Sequence, residues 1–269
     1  MTACVQALHD VVPGSHACWV VDADDDFHAA GLEFLGRAAE TGEKAVYFGP
    51  RDSEPYRALR NEVALAADPR LDFLSGGTLD PAAMFRMFAD TTAAARTEGH
   101  RGLRLLADMD WLLPLGPTAD DIVGFELRLD REARSLGATI VCAYRSRSFD
   151  VPAITGAGCV HPVTVGERHQ PEFRLVADER GWRLSGEVDL VTADLFQSAI
   201  TTAVAGGDSV VDASGLEFID VAGMRAFARA ARSARGVRVV DAPAAVRRCW
   251  CAASFDQLAP NVEFVADGR

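Results

Sequence analysis

The sequence of 269 residues predicts an α/β protein built from two domains. Apolar stretches of strand length alternate with amphipathic helical patterns in both parts of the chain, which is typical of parallel sheets covered by helices. A hydrophobic fraction of 49% is enough for two cores. The polar segment 167–171 separates the two alternating patterns and is predicted to be a linker. We therefore predict a mostly parallel sheet domain at residues 1–166 and a smaller α/β domain at residues 172–269.

Hydrophobic periodicity gives the elements of the first domain. Asp80 is predicted to cap a helix that has Pro81 at its first position, where the missing N–H of proline is harmless. The predicted strands are 16–21, 45–48, 71–74, 102–107, 138–144 and 159–165. The predicted helices are 26–40, 55–66, one that starts at 80–81, and 120–136.

The second domain is predicted to begin with a hairpin that turns at 178–181, because apolar and polar residues alternate on both sides of that turn. The predicted elements after it are a helix at 192–205, a strand beginning at 210, a helix at 221–234, a strand at 237–240 and a helix at 244–255. This order again indicates a sheet with helices between its strands.

Composition argues against several classes of protein. A net charge of −12 argues against nucleic-acid binding, because phosphate contacts need clustered Lys and Arg. No apolar run approaches the roughly 20 residues of a membrane helix, and no basic region precedes an apolar stretch at the start, so we expect a cytoplasmic protein with no membrane contact. The six cysteines lack the spacing of a secreted disulfide framework and are expected to be reduced.

Two motifs in the second domain carry a resemblance to a known family. Residues 210–224 read VVDASGLEFIDVAGM, and residues 186–190 read GEVDL. In this order they resemble the signature of the STAS family, the sulfate-transporter and anti-sigma-factor-antagonist domains. The resemblance implies the STAS fold and, as partner, an anti-sigma factor with a kinase-type ATP-binding fold. The partner-binding residues that it implies are Asp189, Asp220, Val221, Ala222 and Gly223.

The two residues after Asp220 set this chain apart from STAS domains that work as phosphoswitches. In those relatives both positions are usually serine or threonine, and the second accepts a phosphate from a partner kinase. Val221 and Ala222 carry no hydroxyl, so neither accepts a phosphoryl group. The resemblance, with this departure, implies a docking domain that a kinase cannot switch at this loop. We expect Asp220 to cap the following helix and Asp189 to set the charge of the loop.

Five short pieces of the first domain occur in an order typical of a second family. They are GSHACWV at 14–20, TGEKAVYF at 41–48, LLADMDW at 105–111, VCAYRS at 141–146 and HP at 161–162. Together they resemble the MEDS family, the methanogen/methylotroph sensory domains, which implies a RecA-like sheet without a phosphate loop and a role in sensing small molecules such as hydrocarbon derivatives. The turn DADDDFH at 22–28 has four carboxylates and neither glycine nor lysine, which argues against a working phosphate loop. Asp108 and Val21 depart from the residues common in the family, so the ligand is left open.

Side chains of the predicted strands are candidates to line a ligand pocket. His16 and Cys18 are two residues apart on one strand, as are Cys142 and Tyr144 on another, so each pair points to one face of the sheet. Ligands of such sheets bind beyond the carboxyl ends of the strands. The alternative is that these are ordinary buried thiols and a hydrogen-bonded core histidine. The candidate ligand-binding residues are His16, Cys18, Asp108, Trp111, Cys142, Tyr144 and His161.

Metal binding and catalysis are the remaining alternatives. The two Cys and two His of the candidate pocket lack the two-to-four-residue spacing common in structural zinc sites, so we expect no metal. A thiol catalyst would use Cys18 or Cys142 and would need a reactive thiolate. We predict a regulatory signalling protein, not an enzyme and without a cofactor, whose sensory domain controls partner binding by the STAS domain. The rivals are a scaffold that binds no small molecule, and a thiol- or nucleotide-dependent enzyme.

Overall fold

The chain forms two compact units. The computed structural model describes residues 3–22, 26–61, 63, 65–72, 74–75 and 78–265. The first unit takes the described residues of 1–118, 129–155 and 162–170, and the second takes those of 119–128, 156–161 and 171–269. Residues 23–25 of the acidic turn at 22–28 lie outside the described residues.

A seven-stranded sheet forms the centre of the first unit, and every strand pairing in it is parallel. The order of its strands is β1-β9-β2-β8-β7-β3-β4, while β5 and β6 form a separate antiparallel pair. This arrangement confirms the predicted α/β class with a parallel sheet. The strands are β1 (Ala3–Val5), β2 (His16–Val21), β3 (Lys44–Phe48), β4 (Leu65–Ala67), β5 (Leu74–Ser75), β6 (Thr78–Leu79), β7 (Leu103–Asp108), β8 (Thr139–Arg145) and β9 (Val163–Val165).

Helices follow the strands, as a parallel sheet requires. Asp80 accepts a hydrogen bond from the Ala83 amide at 2.9 Å and so caps α5, which confirms the predicted cap. A 3₁₀ helix at Met109–Leu115 follows β7 directly. The α-helices are α1 (Phe27–Gly36), α2 (Ala38–Thr41), α3 (Glu54–Leu59), α4 (Pro69–Asp72), α5 (Pro81–Thr97), α6 (Ala119–Leu136) and α7 (Val151–Cys159).

Three predicted elements of this region are wrong. The helix predicted at 55–66 ends at Leu59, and Leu65–Ala67 is instead the edge strand β4. Of the strand predicted at 71–74, Leu71 and Asp72 belong instead to the short helix α4 and Leu74 begins β5. Pro69 begins the helical turn, and the Asp68 carboxylate accepts from the Arg70 amide. The strand predicted at 159–165 shortens to β9, since α7 precedes it. Short apolar runs do not distinguish a buried strand from a buried helix.

The two faces of β2 have different surroundings. Ala17, Trp19 and Val21 belong to one hydrophobic cluster of the first unit, together with Val141 and Ala143 of β8. Successive side chains of a strand point to opposite faces, so the remaining residues of β2, which include His16 and Cys18, face the other way. All six residues of β2 are buried, as expected for an internal strand of a parallel sheet.

The second unit contains a five-stranded sheet in the order β10-β11-β12-β13-β14. The first pair is antiparallel and forms the predicted hairpin, with Asp178 opposite Gly181, and the other pairings are parallel. The edge strand β14 was not predicted. The strands are β10 (Phe173–Asp178), β11 (Gly181–Val188), β12 (Asp208–Ile219), β13 (Gly236–Val240) and β14 (Val262–Val265), and the helices are α8 (Ala193–Val204), α9 (Val221–Ala231), α10 (Ala244–Ala252) and α11 (Phe255–Leu258).

Candidate functional site

The signature loop follows β12 at one edge of the second sheet. β11 and β12 run parallel with Val188 opposite Ile219, so the residues after each strand emerge at the same edge. Asp220 accepts a hydrogen bond from the Gly223 amide at 2.8 Å, which confirms that it caps α9. The Asp220 amide donates to the Val188 carbonyl at 3.0 Å. These two bonds fix the start of α9 beside the end of β11.

Asp189 orders the neighbouring loop. Its carboxylate accepts from the amides of Val191 and Thr192 at 2.9 and 3.1 Å, and from the Thr192 hydroxyl at 3.2 Å. A side chain that bonds the backbone two and three residues ahead closes a tight turn. Asp189 therefore stabilises the turn before α8 and also places a negative charge at this end of the sheet.

Gly223 allows α9 to lie close to the ends of the two strands. A Cβ at this position would lie 2.7 Å from Val188 Cγ1 and 2.8 Å from Ile219 Cγ1. Real Cβ atoms almost never approach that closely, so a larger residue requires either α9 or these two side chains to move. Ala222 is partly buried against the hydrophobic core of the second unit, whereas Val221 is 54% exposed.

Large apolar side chains are exposed around this loop. Leu190 and Val191 follow β11, Phe218 is the last residue but one of β12, and Val221 is the first residue of α9. We name these four residues the apolar rim. Their exposed fractions are 76%, 84%, 49% and 54% in that order. Of these four residues, the sequence analysis identified only Val221. Two large apolar residues in succession, Leu190 and Val191, are unusual in a loop and could have indicated an interaction surface.

Three residues of the predicted pocket have a close neighbour within their own unit. In the first unit, Cys142 Sγ lies 3.5 Å from His16 Nε2, and in the second unit His161 Nε2 lies 3.4 Å from Glu126 Oε2. All four residues are buried, and Glu126 was not among the predicted residues.

Glu126 could have been found from the pattern of α6. Ile122, Val123 and Leu127 of that helix are buried, and Glu126 and Asp130 occupy positions of the same buried stripe four residues apart. Both carboxylate residues are buried, at 0% and 3% exposed. A carboxylate is seldom buried without a partner, so its presence on an apolar stripe indicates a polar site.

Asp108 has partners of its own. Tyr47 donates to its carboxylate at 3.0 Å, and Arg145 Nη2 donates to Oδ2 at 3.0 Å. Arg145 Nη1 also lies 2.7 Å from Asp110 Oδ2. In the sheet register Asp108 lies opposite Ala143 of β8, and His16 lies opposite Ile140 of the same strand. Asp108 and His16 are therefore three residues apart along the strands, or about 10 Å.

Burial and this charge network shift two pKa values. Desolvation by burial, and then the negative charge of Asp108, raise the pKa of the Tyr47 hydroxyl above its ordinary value. The same two causes, in the same order, raise the pKa of Asp110. Asp108 therefore acts on its neighbours as a buried anion whose main compensating charge is Arg145.

The remaining pocket candidates lie in packed surroundings. Trp111 is fully buried and meets Phe48 edge to face, with ring centroids 5.9 Å apart. Tyr144 is fully buried and meets Phe149 in the same way at 5.0 Å. Cys18 is buried beside Cys142, which is its partner in the sheet register. Whether any of these side chains contacts a ligand stays a prediction.

An open cleft lies at the carboxyl ends of β2 and β9, where ligands of parallel sheets bind. Its volume is about 260 Å³. Asp22 on its wall is 2.9 Å from Arg168 Nη1 and 3.3 Å from His169 Nε2. Trp19 contributes an aromatic surface, and Ala30 of α1 also lines the cleft. Sequence reasoning identified the edge of the sheet but not these residues.

The two folds and their sites define a sensory domain followed by a STAS domain. Residues 15–162 match the family model described as MEDS, the MEthanogen/methylotroph, DcmR Sensory domain. This match covers more than half of the chain, and the chain therefore belongs to the MEDS family. Residues 174–260 match the model described as Mlab, STAS domain, which confirms the predicted order of the two domains.

No curated protein matches the chain significantly. Among the helices that the structure describes, none combines the length and the apolar character needed to cross a membrane. The two family matches together indicate a regulatory signalling protein.

Proposed function

We propose that this protein regulates transcription by binding an anti-sigma factor through its STAS domain, under the control of a small molecule bound by its MEDS domain. The partner has a kinase-type ATP-binding fold, and binding it releases a sigma factor. The observation that carries the proposal is the apolar rim, which surrounds a capped loop without a hydroxyl at the position where a partner kinase phosphorylates other STAS domains.

The apolar rim has the composition of a binding surface. Exposed large apolar residues that cluster around one edge of a sheet are characteristic of interaction sites. Asp189 and Asp220 add negative charge beside them, and the hydrogen bonds of both carboxylates hold the loops in one conformation. A preformed surface pays a smaller entropic penalty on binding.

The signature loop has no phosphate acceptor after Asp220, so control of partner binding is assigned to the MEDS domain. Because Val221 and Ala222 have no hydroxyl, phosphorylation at these positions cannot release the partner. We place the effector in the cleft between β2, α1 and β9, which is open and is lined by both aromatic and charged groups.

Partner binding is tested with a substitution in the apolar rim. Val191→Asp puts a charge at the most exposed residue of the apolar rim. It should weaken binding to the cognate anti-sigma factor by at least tenfold, equivalent to about 1.4 kcal/mol. The matched control is Val151→Asp, which changes a 75% exposed valine at the start of α7. Isothermal titration with purified anti-sigma kinases from the same genome measures both. Equal affinities for the two variants would contradict the assigned surface.

Effector binding is tested by thermal shift with a panel of small hydrocarbon derivatives. A compound present at about 100 times its dissociation constant should stabilise the chain by about 2.7 kcal/mol. Ala30→Leu narrows the cleft and should reduce that shift. If no compound stabilises the chain and partner affinity does not respond to any of them, the scaffold alternative replaces the sensory one.

A further inference from the structure

Two buried cysteines of the MEDS domain lie opposite each other on neighbouring strands. Cys18 of β2 pairs with Cys142 of β8 in the parallel register, and both residues are buried. Opposite residues of two paired strands point to the same face of the sheet, and such strands lie about 4.8 Å apart. Disulfides join residues whose Cα atoms are about 4.4–6.8 Å apart. The backbone therefore already holds the two cysteines within the range of a disulfide.

A histidine and a carboxylate accompany one of the two thiols. His16 Nε2 lies 3.5 Å from Cys142 Sγ, and His16 Nδ1 lies 3.2 Å from Asp130 Oδ1. An ionised carboxylate only accepts hydrogen bonds, so Nδ1 donates to Asp130 and Nε2 presents its lone pair to the thiol. Nucleophile, base and orienting carboxylate stand in this order where enzymes activate cysteine or serine. Cys142 is therefore a thiol that can pass its proton to a neighbouring base.

All four residues belong to the first compact unit. His16 and Cys18 lie on β2, Cys142 lies on β8, and Asp130 lies on the part of α6 that is assigned to the same unit. His16 and Cys18 are two residues apart and share one face of β2, and Cys142 opposite Cys18 shares that face as well. One face of two adjoining strands thus carries the base, the thiol beside it and a second thiol.

Burial determines which molecules can react with Cys142. Cys142 and Cys18 are both enclosed by the folded domain, so a large reactant such as a peptide thiol is kept from either sulfur. Hydrogen peroxide is little larger than water and can enter through brief local opening of the structure. Once Cys142 is oxidised, the thiol that reacts with it next must come from within the domain. Cys18 has the position for that reaction.

We propose that Cys142 and Cys18 are a peroxide-responsive pair, in which hydrogen peroxide oxidises Cys142 and Cys18 then forms a disulfide with it. The Cys142 thiol gives its proton to His16 Nε2, and the thiolate sulfur attacks one peroxide oxygen. The S–O bond forms as the O–O bond breaks, and the departing hydroxide takes the proton from His16 and leaves as water. The sulfur loses two electrons and becomes a sulfenic acid, and the peroxide is reduced.

Cys18 completes the reaction. Its sulfur attacks the sulfenic sulfur of Cys142, so that the S–S bond forms, the S–O bond breaks, and hydroxide leaves with the Cys18 proton as a second water. In total, two thiols and one peroxide give one disulfide and two waters. The strand spacing of about 4.8 Å is shorter than the 5.5–6 Å between the Cα atoms of most disulfides, and a bond away from its preferred geometry is more easily reduced. The modification is therefore reversible, and it does not depend on the partner or the effector proposed above.

The first test is peptide mapping of the full chain after exposure to hydrogen peroxide. The exposed cysteines Cys4, Cys249 and Cys251 are first replaced by serine, so that the buried thiols are followed alone. Mass spectrometry without reducing agent should find a linked pair of peptides that contain Cys18 and Cys142, and a reducing agent should separate them.

Cys159 is the matched control within the same molecule. It is also buried, and desolvation by burial raises the pKa of its thiol to about 12, so it should stay reduced while the pair is oxidised. If Cys159 were oxidised as fast as Cys142, or if no Cys18–Cys142 peptide formed in the folded chain, the proposal would be overturned.

The second test separates the roles of the two cysteines. Cys18→Ala should stop the reaction at the sulfenic acid of Cys142, which a dimedone probe traps. Cys142→Ala should leave Cys18 reduced, because Cys18 reacts only after Cys142 has been oxidised. Oxidation of Cys18 at an unchanged rate in Cys142→Ala would contradict this order.

Asp130 is a positioning residue, and its role is tested by the pH dependence of the oxidation rate. Asp130→Asn should slow the oxidation of Cys142 at least tenfold at pH 7, because the amide no longer stabilises a protonated His16. At about pH 9.5 the thiol ionises without the help of a base, and the two chains should react at similar rates. The same rate ratio at both pH values, or equal rates at pH 7 with both chains folded, would overturn the assigned role of His16 and Asp130.

Discussion

The MEDS domain buries charged side chains, whereas the STAS domain exposes apolar ones at its signature loop. Asp108 is fully buried against Arg145, and Glu126 is fully buried against His161. Leu190 and Val191 instead remain 76% and 84% exposed. A buried charge needs a fixed partner, and an exposed apolar surface gains free energy only when something covers it. The first domain therefore pairs its buried charges within the domain, whereas the second has an apolar surface that the described residues leave exposed.

The largest effect is expected where a buried charge loses its partner. Asp108→Asn removes the anion that faces Arg145 and should lower the free energy of unfolding by about 3 kcal/mol, because Asp110 remains to compensate the guanidinium in part. Chemical denaturation measures the change. The control is Asp208→Asn in the exposed pair of Asp208 with Arg235, for which we expect no measurable change. A loss below 1 kcal/mol for Asp108→Asn would show that the buried pair matters no more than a surface one.

A smaller effect on stability is expected at Gly223, where α9 packs against the ends of β11 and β12. Gly223→Ala places a Cβ against Val188 and Ile219 and should cost about 1–3 kcal/mol in stability, with weaker partner binding because α9 shifts. Gly207→Ala serves as control, since a Cβ there meets nothing within 4 Å. Denaturant unfolding of both variants, followed by titration with the partner, separates the two effects. Unchanged stability of Gly223→Ala would mean that α9 has room to move.

The smallest effect is a pH dependence in the buried network of the first domain. Burial and the charge of Asp108 raise the pKa of Tyr47 above its ordinary value of 10.0, so the folded chain keeps this hydroxyl protonated while the unfolded chain ionises it near pH 10. The stabilising contribution is complete below about pH 10 and is lost as the pH rises above it. The melting temperature should therefore fall more steeply from pH 10 to 11 in the wild-type chain than in Tyr47→Phe. Parallel curves would show that Tyr47 ionises equally in both states.

Much of the fold followed from local patterns. The strand His16–Val21 was predicted with its observed ends, because a six-residue segment that is mostly apolar lies between segments rich in residues typical of turns. The hairpin turn at 178–181 and the cap at Asp80 were likewise set by neighbouring residues. The edge strands β4 and β14 and the helix α7 were missed, because short apolar segments take the structure that their tertiary neighbours select.

The candidate sites were predicted less completely for a related reason. His16, Cys142 and His161 were identified by residue type, but the pairing of His161 with Glu126 joins residues 35 positions apart and depends on the tertiary fold of the second unit. The exposure of Leu190 and Val191 likewise depends on which parts of the fold leave them uncovered.

The central claim is that the STAS domain binds its partner without a phosphoswitch. Intact-mass measurement after incubation with the cognate anti-sigma kinase and ATP tests it directly, with Ala222→Ser as the control that supplies the missing hydroxyl. We predict that the wild-type chain gains no phosphate and keeps its affinity in ATP, while Ala222→Ser gains one phosphate and binds more weakly. A phosphate on residues 171–269 of the wild-type chain would contradict the claim.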